Sequence, residues 1–176
     1  MKECDKLLLT IILTIILIIS VITDIKERRI LNIVTFPTIL FGVVFHTVSN
    51  GINGLLFSSL GLLLGMALLI IPYALGGMGA GDVKLLGAVG ALQGSLFVFQ
   101  AFLYTCIAGA IFATIILIRR KQFFSRLKNI TVVLSLAKNN PTYLNQLDKK
   151  DLSYSIPYGV AICTGTIFTF VWGGMI

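Results

Sequence analysis

Residues 30–81 read ILNIVTFPTILFGVVFHTVSNGINGLLFSSLGLLLGMALLIIPYALGGMGAG, a run of 52 with no Asp, Glu, Lys or Arg, bounded by Arg29 and Asp82. A bilayer crossing takes about 20 apolar residues, so the run holds two transmembrane helices. It divides at Ser49-Asn50-Gly51-Ile52-Asn53-Gly54, a turn-rich cluster, which predicts spans over 31–48 and 55–75. Pro37 is expected either to kink the first of these or to mark a later start. The second runs into Gly76-Gly77-Met78-Gly79-Ala80-Gly81, where each glycine costs a helix about 1 kcal/mol relative to alanine.

Outward from that run, the charge-free stretches 7–23, 85–118 and 152–176 hold 17, 34 and 25 residues. In the whole chain of 176 residues, 57% are hydrophobic and 12% charged, against about a quarter charged in an ordinary globular domain. A soluble enzyme, a secreted disulfide scaffold and a disordered chain are excluded. The first stretch exceeds the roughly 7–15 residues of a signal-peptide core and no A-x-A site follows it, which predicts a first span over 7–23. As one helix the 34-residue stretch would extend about 51 Å, well past a hydrocarbon core of about 30 Å. A break at Gln93-Gly94-Ser95 divides it into spans over 83–93 and 95–118. That division puts 12 of the 14 basic residues on one side of the membrane, with Lys2 and Lys6 opposite, as the positive-inside rule requires.

The expectation is therefore an all-α polytopic membrane protein, one domain over 1–176, with six spans and an extracytoplasmic N-terminus. The sixth span covers 156–175, with Pro157 suited to its first turn. The net charge of +7 is assigned to topology and to anionic lipid head groups rather than to nucleic acid. In the basic segment 119–155, Phe123, Leu127, Ile130 and Leu134 form one helical stripe. A helix lying in the membrane surface and a simple basic linker both fit it. Cys4, Cys106 and Cys163 make no CxxC pattern, His46 has no ligand nearby in sequence, and there is no HExxH, so no metal site is expected.

Seven carboxylates remain to be placed. Glu3 and Asp5 lie in the N-terminal tail, and Asp148 and Asp151 lie beside lysines. Asp24 closes the first span and Asp82 stands between two long apolar runs, both at the boundary expected to face the cytoplasm. An ionisable group at membrane depth is costly and marks a functional site by default. Plainer roles exist: Asp24 paired with Lys26 or Arg28, and Asp82 as a helix N-cap. The glycines before Asp82 favour the functional role, because they leave backbone open to close approach by a substrate. Two carboxylates sharing a site cannot both ionise easily. One then takes a proton from an attacking water while the other, protonated, polarises a peptide carbonyl. No cofactor is needed.

Gly79-Ala80-Gly81-Asp82-Val83-Lys84 matches the GxGD motif of membrane aspartic peptidases, and its GxGDxK extension resembles the type IV prepilin peptidase family. Asp24-Ile25-Lys26-Glu27-Arg28-Arg29-Ile30-Leu31-Asn32 resembles that family's first-aspartate motif, with Leu31 where proline is usual. Ile156-Pro157-Tyr158-Gly159-Val160-Ala161 resembles its short members, associated with tight-adherence pili. The resemblance implies Asp24 and Asp82 as the catalytic pair, and Gly79, Gly81, Lys84, Arg29 and Asn32 as substrate-binding or loop-shaping residues. It implies an endopeptidase of the inner (plasma) membrane, active site toward the cytoplasm, that cleaves the short basic leader from prepilins or pseudopilins. The paired CxxC segment of larger members is lacking, so methyltransferase activity is not expected. Two competing classes use the same features. A small proton-coupled transporter would employ the aspartates as a relay, and a non-catalytic pilus-assembly subunit would not need them.

Overall fold

A computed structural model describes residues 3–119 and 158–172, which form five α-helices and no strand. They are α1 (Glu3–Glu27), α2 (Asn32–Ala74), α3 (Ala80–Gln93), α4 (Ser95–Arg119) and α5 (Tyr158–Trp172). Of the described helices, α1, α2 and α4 are long and apolar enough to cross a membrane, and α5 is a shorter apolar helix. This all-helical, apolar build is that of a membrane protein. Contacts divide the chain into two compact units, Met1–Gly109 with Pro157–Ile176, and Ala110–Ile156. The described part of the second unit is the last ten residues of α4, where the Thr114 hydroxyl donates to the Ala110 carbonyl at 2.8 Å. The stretch 120–155, which holds the expected surface helix or linker, lies outside the described residues.

In the first unit, α1 extends past both ends of its apolar run, because Glu3, Lys6, Lys26 and Glu27 are all compatible with helix. Asp24 therefore lies inside the last turn rather than after it. The helix stops at Arg28, which adopts φ 52° and donates its N–H to the Asp24 carbonyl at 2.9 Å. This is a left-handed cap of the kind glycine usually supplies.

Within the charge-free run, α2 begins at Asn32 and keeps helical dihedrals through Pro37, so the proline neither delays nor breaks it. The break is Gly51 (φ 59°, ψ −138°), inside the turn-rich cluster. There the chain reverses. The rings of His46 and Phe57 are 5.0 Å apart between centroids, where 11 residues of straight helix would separate them by about 16 Å. Gly54 lies so close to the His46 carbonyl that a Cβ would overlap it.

The two arms of α2 enclose α3, whose residues from Val83 to Leu92 are buried apart from the half-buried Lys84. A helix apolar all round belongs inside. Close approach depends on missing side chains: a Cβ at Gly42 would stand 2.9 Å from the Ala91 carbonyl oxygen, and one at Gly65 would stand 2.6 Å from that of Leu86. Gly61 and Gly90 meet backbone to backbone. In lipid there is little hydrophobic drive between helices, so close packing of small residues and interhelical hydrogen bonds hold them together. Both kinds of contact occur. Ser58 Oγ donates to the Ala91 carbonyl at 2.7 Å and His46 Nε2 bonds the Leu92 carbonyl at 2.9 Å. These side chains satisfy carbonyls in the last turn of α3, which helix geometry leaves without partners. Gly94 (φ 86°) then turns the chain into α4. Leu9, Leu13, Ile16 and Leu17 of α1, Val98 of α4 and Ile162 of α5 join Val83, Leu85, Leu86, Val89 and Leu92 of α3 in one buried apolar cluster.

Candidate active site at the ends of α1, α3 and α5

Along α1 the buried positions are 9, 13, 16, 17, 20 and 24, one helical stripe, while Ile11, Ile15, Ile18 and Ile22 are exposed. Asp24 ends the buried stripe. It is 5% exposed, and Asp82, in the first turn of α3, is 7% exposed. No other carboxylate of the described residues is buried.

Each aspartate is held by a backbone N–H. Gly79 donates to Asp82 Oδ2 at 3.0 Å, and the Asp82 N–H returns a bond to the Gly79 carbonyl at 3.1 Å. Asp82 thus reaches back over the start of its own helix as the third residue of a capping box does. Gly159, the second residue of α5, donates to Asp24 Oδ2 at 2.8 Å across 135 positions of sequence. Tyr158 beside it lies within electrostatic reach of Asp82. Asp82 stands outside the three helices long enough to cross a membrane. Burial pushes its carboxyl up to about 6; the Gly79 N–H opposes that shift and the charge of Asp24 adds to it. A carboxyl in this range holds or loses its proton close to neutrality, as general acid–base work requires.

Of the other residues singled out in the sequence, Gly81 shapes the chain. A Cβ there would stand 2.8 Å from Cβ of Ile30, in the linker between α1 and α2. Lys84 Nζ donates to Asn32 Oδ1 at 2.9 Å. The side chain two residues beyond Asp82 therefore ties the N-terminal part of α3 to the first residue of α2. These contacts fasten Ile30 of the linker after α1, and Asn32 at the start of α2, onto the N-terminal part of α3 that carries Asp82. Arg29 is exposed and has no side-chain bond among the described residues. Leu31 is the N-cap of α2 at φ −74°, ψ 125°. Among the described residues no group of three His, Cys, Asp or Glu is placed to hold a metal ion.

Sequence reasoning missed Gly159. Its signal was present in Pro157-Tyr158-Gly159, read as the opening of a helix and as part of the resemblance, with no role given to Gly159. Nothing in that pattern names Asp24 as the group it meets.

The model of the type IV leader peptidase family matches residues 11–114, more than half of the chain, and the chain belongs to that family. The match spans Asp24 and Asp82 and ends before α5. No curated protein and no solved structure matches the chain.

Proposed function

We propose that this type IV leader peptidase is an aspartic endopeptidase that uses Asp24 and Asp82 to remove the short basic leader from prepilins or pseudopilins. Its setting is a six-span inner-membrane domain with the N-terminus outside and the carboxylates facing the cytoplasm, its basic face against anionic lipid head groups. The substrate's apolar helix lies in the bilayer and brings its cleavage site to the two aspartates. What supports this reading is that the two carboxylates are the buried ones among the described residues, lie in one compact unit and each have an oxygen on a backbone N–H, with the charge of Asp24 raising the Asp82 carboxyl.

One carboxylate takes a proton from water as the water oxygen adds to the scissile carbonyl carbon, and the protonated partner donates to the carbonyl oxygen. Collapse of the tetrahedral intermediate breaks the C–N bond. The proton taken from water goes to the leaving amine while the partner regains its own proton from a hydroxyl of the intermediate, giving the leader's new carboxyl group, a new pilin N-terminus and the dyad in its starting state. The dyad titrates as a unit, so base and acid are roles of the pair.

The test is co-expression with a prepilin and a gel that separates precursor from mature pilin. Asp24→Ala and Asp82→Ala each abolish processing while the protein still inserts in the membrane. Normal processing by either variant would refute the dyad. Proton-coupled flux into proteoliposomes, without cleavage, would favour the transporter.

A further inference from the structure

Asp24 is held not by its own neighbourhood but by the far end of the chain. The first N–H groups of a helix have no partner within it, and α5 turns two of them toward Asp24: that of Gly159 donates to Oδ2 at 2.8 Å, and that of Val160 also acts on the carboxylate. The fit leaves no room for a side chain. A Cβ at position 159 would stand 2.7 Å from Asp24 Oδ2, 3.1 Å from its Cγ and 3.2 Å from its Cβ. The family model matches residues 11–114, which contain Asp24 but not its partner Gly159.

We propose that Gly159 is a positioning residue for cleavage: the first turn of α5 fixes the Asp24 carboxylate through the Gly159 N–H, and the site is complete only when that turn is docked. This rests on Asp24 belonging to the catalytic pair. The plainer role is that Asp24 merely caps α5, stabilising the fold without bearing on the chemistry. The two differ in what happens per folded molecule. Gly159→Ala must push the carboxylate aside by about 0.8 Å to restore van der Waals contact at about 3.5 Å, and displacements on the ångström scale cost up to about 100-fold in rate. A capping role predicts a loss of folded protein and an unchanged rate in what remains.

The experiment uses the full chain in lipid–detergent micelles with a type IV prepilin as substrate, rates being scaled to folded enzyme. Gly159→Ala is expected to lower kcat about 10- to 100-fold with KM within about twofold of wild type. The same protein, labelled with 13C-aspartate, is read by infrared spectroscopy, the Asp24 band being the one lost in Asp24→Asn. That band shifts in Gly159→Ala. An unchanged kcat per folded molecule, with wild type active and Asp24→Asn inactive, would overturn the positioning role and leave the aspartic peptidase intact. Where wild type cleaves no prepilin, the peptidase reading fails, and an unmoved band overturns the Gly159–Asp24 contact by itself. Should Gly159→Ala not accumulate, Asp24→Ala/Gly159→Ala decides: recovery of folded protein locates the clash at the carboxylate, and failure to recover refutes it.

Discussion

The packing of α3 between the arms of α2 makes a sharp prediction about two glycines on either side of one interface. In Gly65→Ala the new Cβ would stand 2.6 Å from the Leu86 carbonyl oxygen and 3.0 Å from the Gly87 Cα, both backbone. Contact at about 3.5 Å therefore requires the helices to separate by about 0.9 Å. A shift of that size stretches the Ser58–Ala91 bond from 2.7 Å beyond hydrogen-bonding range. Overpacking costs about 1–3 kcal/mol and the lost bond about 1, while alanine's better helix propensity returns about 1. The net loss is about 1–3 kcal/mol, a fall of roughly 2–12 °C in Tm. In Gly87→Ala the Cβ meets Met66 Cγ at 2.8 Å and Leu62 Cδ1 at 3.1 Å. Those are side chains that can turn aside, methionine most easily. Its Tm stays within roughly 3 °C of wild type. The assay is loss of the monodisperse peak after heating in detergent, read by size-exclusion chromatography. A Gly65→Ala protein as stable as wild type, or a Gly87→Ala protein as damaged as Gly65→Ala, would refute this account of the interface.

Leu31→Pro should fold and process normally, because φ −74° at this N-cap lies within the range of about −65 ± 15° that proline imposes. A gain of about 0.4–1 kcal/mol in thermal stability is expected from the stiffer unfolded chain, and loss of folded protein would contradict it. Asn32→Ala and Lys84→Met remove the two ends of one 2.9 Å bond. The double variant should melt where the single variants do, with a coupling of about 0.5–1 kcal/mol, and strict additivity would show that the bond does not form. The Asp82 carboxyl is raised to about 6 from 3.8, so the fold favours its protonated form. Its stabilising contribution is complete below pH 3.8 and is lost as pH rises through about 6. A shift of about two units corresponds to about 3 kcal/mol at most. Asp82→Asn should therefore flatten the fall in melting temperature between pH 4 and pH 7, and an undiminished fall would assign it to another group.

How much of this could be read from the sequence depended on the solvent each helix meets. The break at Gly51 and the turn at Gly94 were readable, because a turn in an apolar run must be written in Gly, Asn and Ser. The lipid-facing side of α1 was not, since Ile11, Ile15, Ile18 and Ile22 outside are as apolar as Leu9, Leu13 and Leu17 inside. Hydropathy marks no face when the surroundings are themselves apolar. Asp82 announced its loop through Gly79 and Gly81. Its 14-residue helix, expected as a short span, is buried on every side within its unit, a placement that only the flanking arms of α2 decide. The 135-residue separation of Asp24 from Gly159 lies beyond any periodicity or spacing.

The same physics ties the candidate site to the fold. With no hydrophobic drive between helices in lipid, polar and small residues both orient α1 and supply its chemistry. Asp24 on the buried stripe is at once the acceptor for the start of α5 and the proposed acid or base. A deletion such as Asp24→Ala removes both roles together. Asp24→Asn separates them, because its amide oxygen still accepts from the Gly159 N–H but the group no longer exchanges a proton near neutrality. A chain that uses Asp24 for catalysis loses cleavage in Asp24→Asn and keeps its melting temperature. A chain that uses it only to hold α5 keeps both.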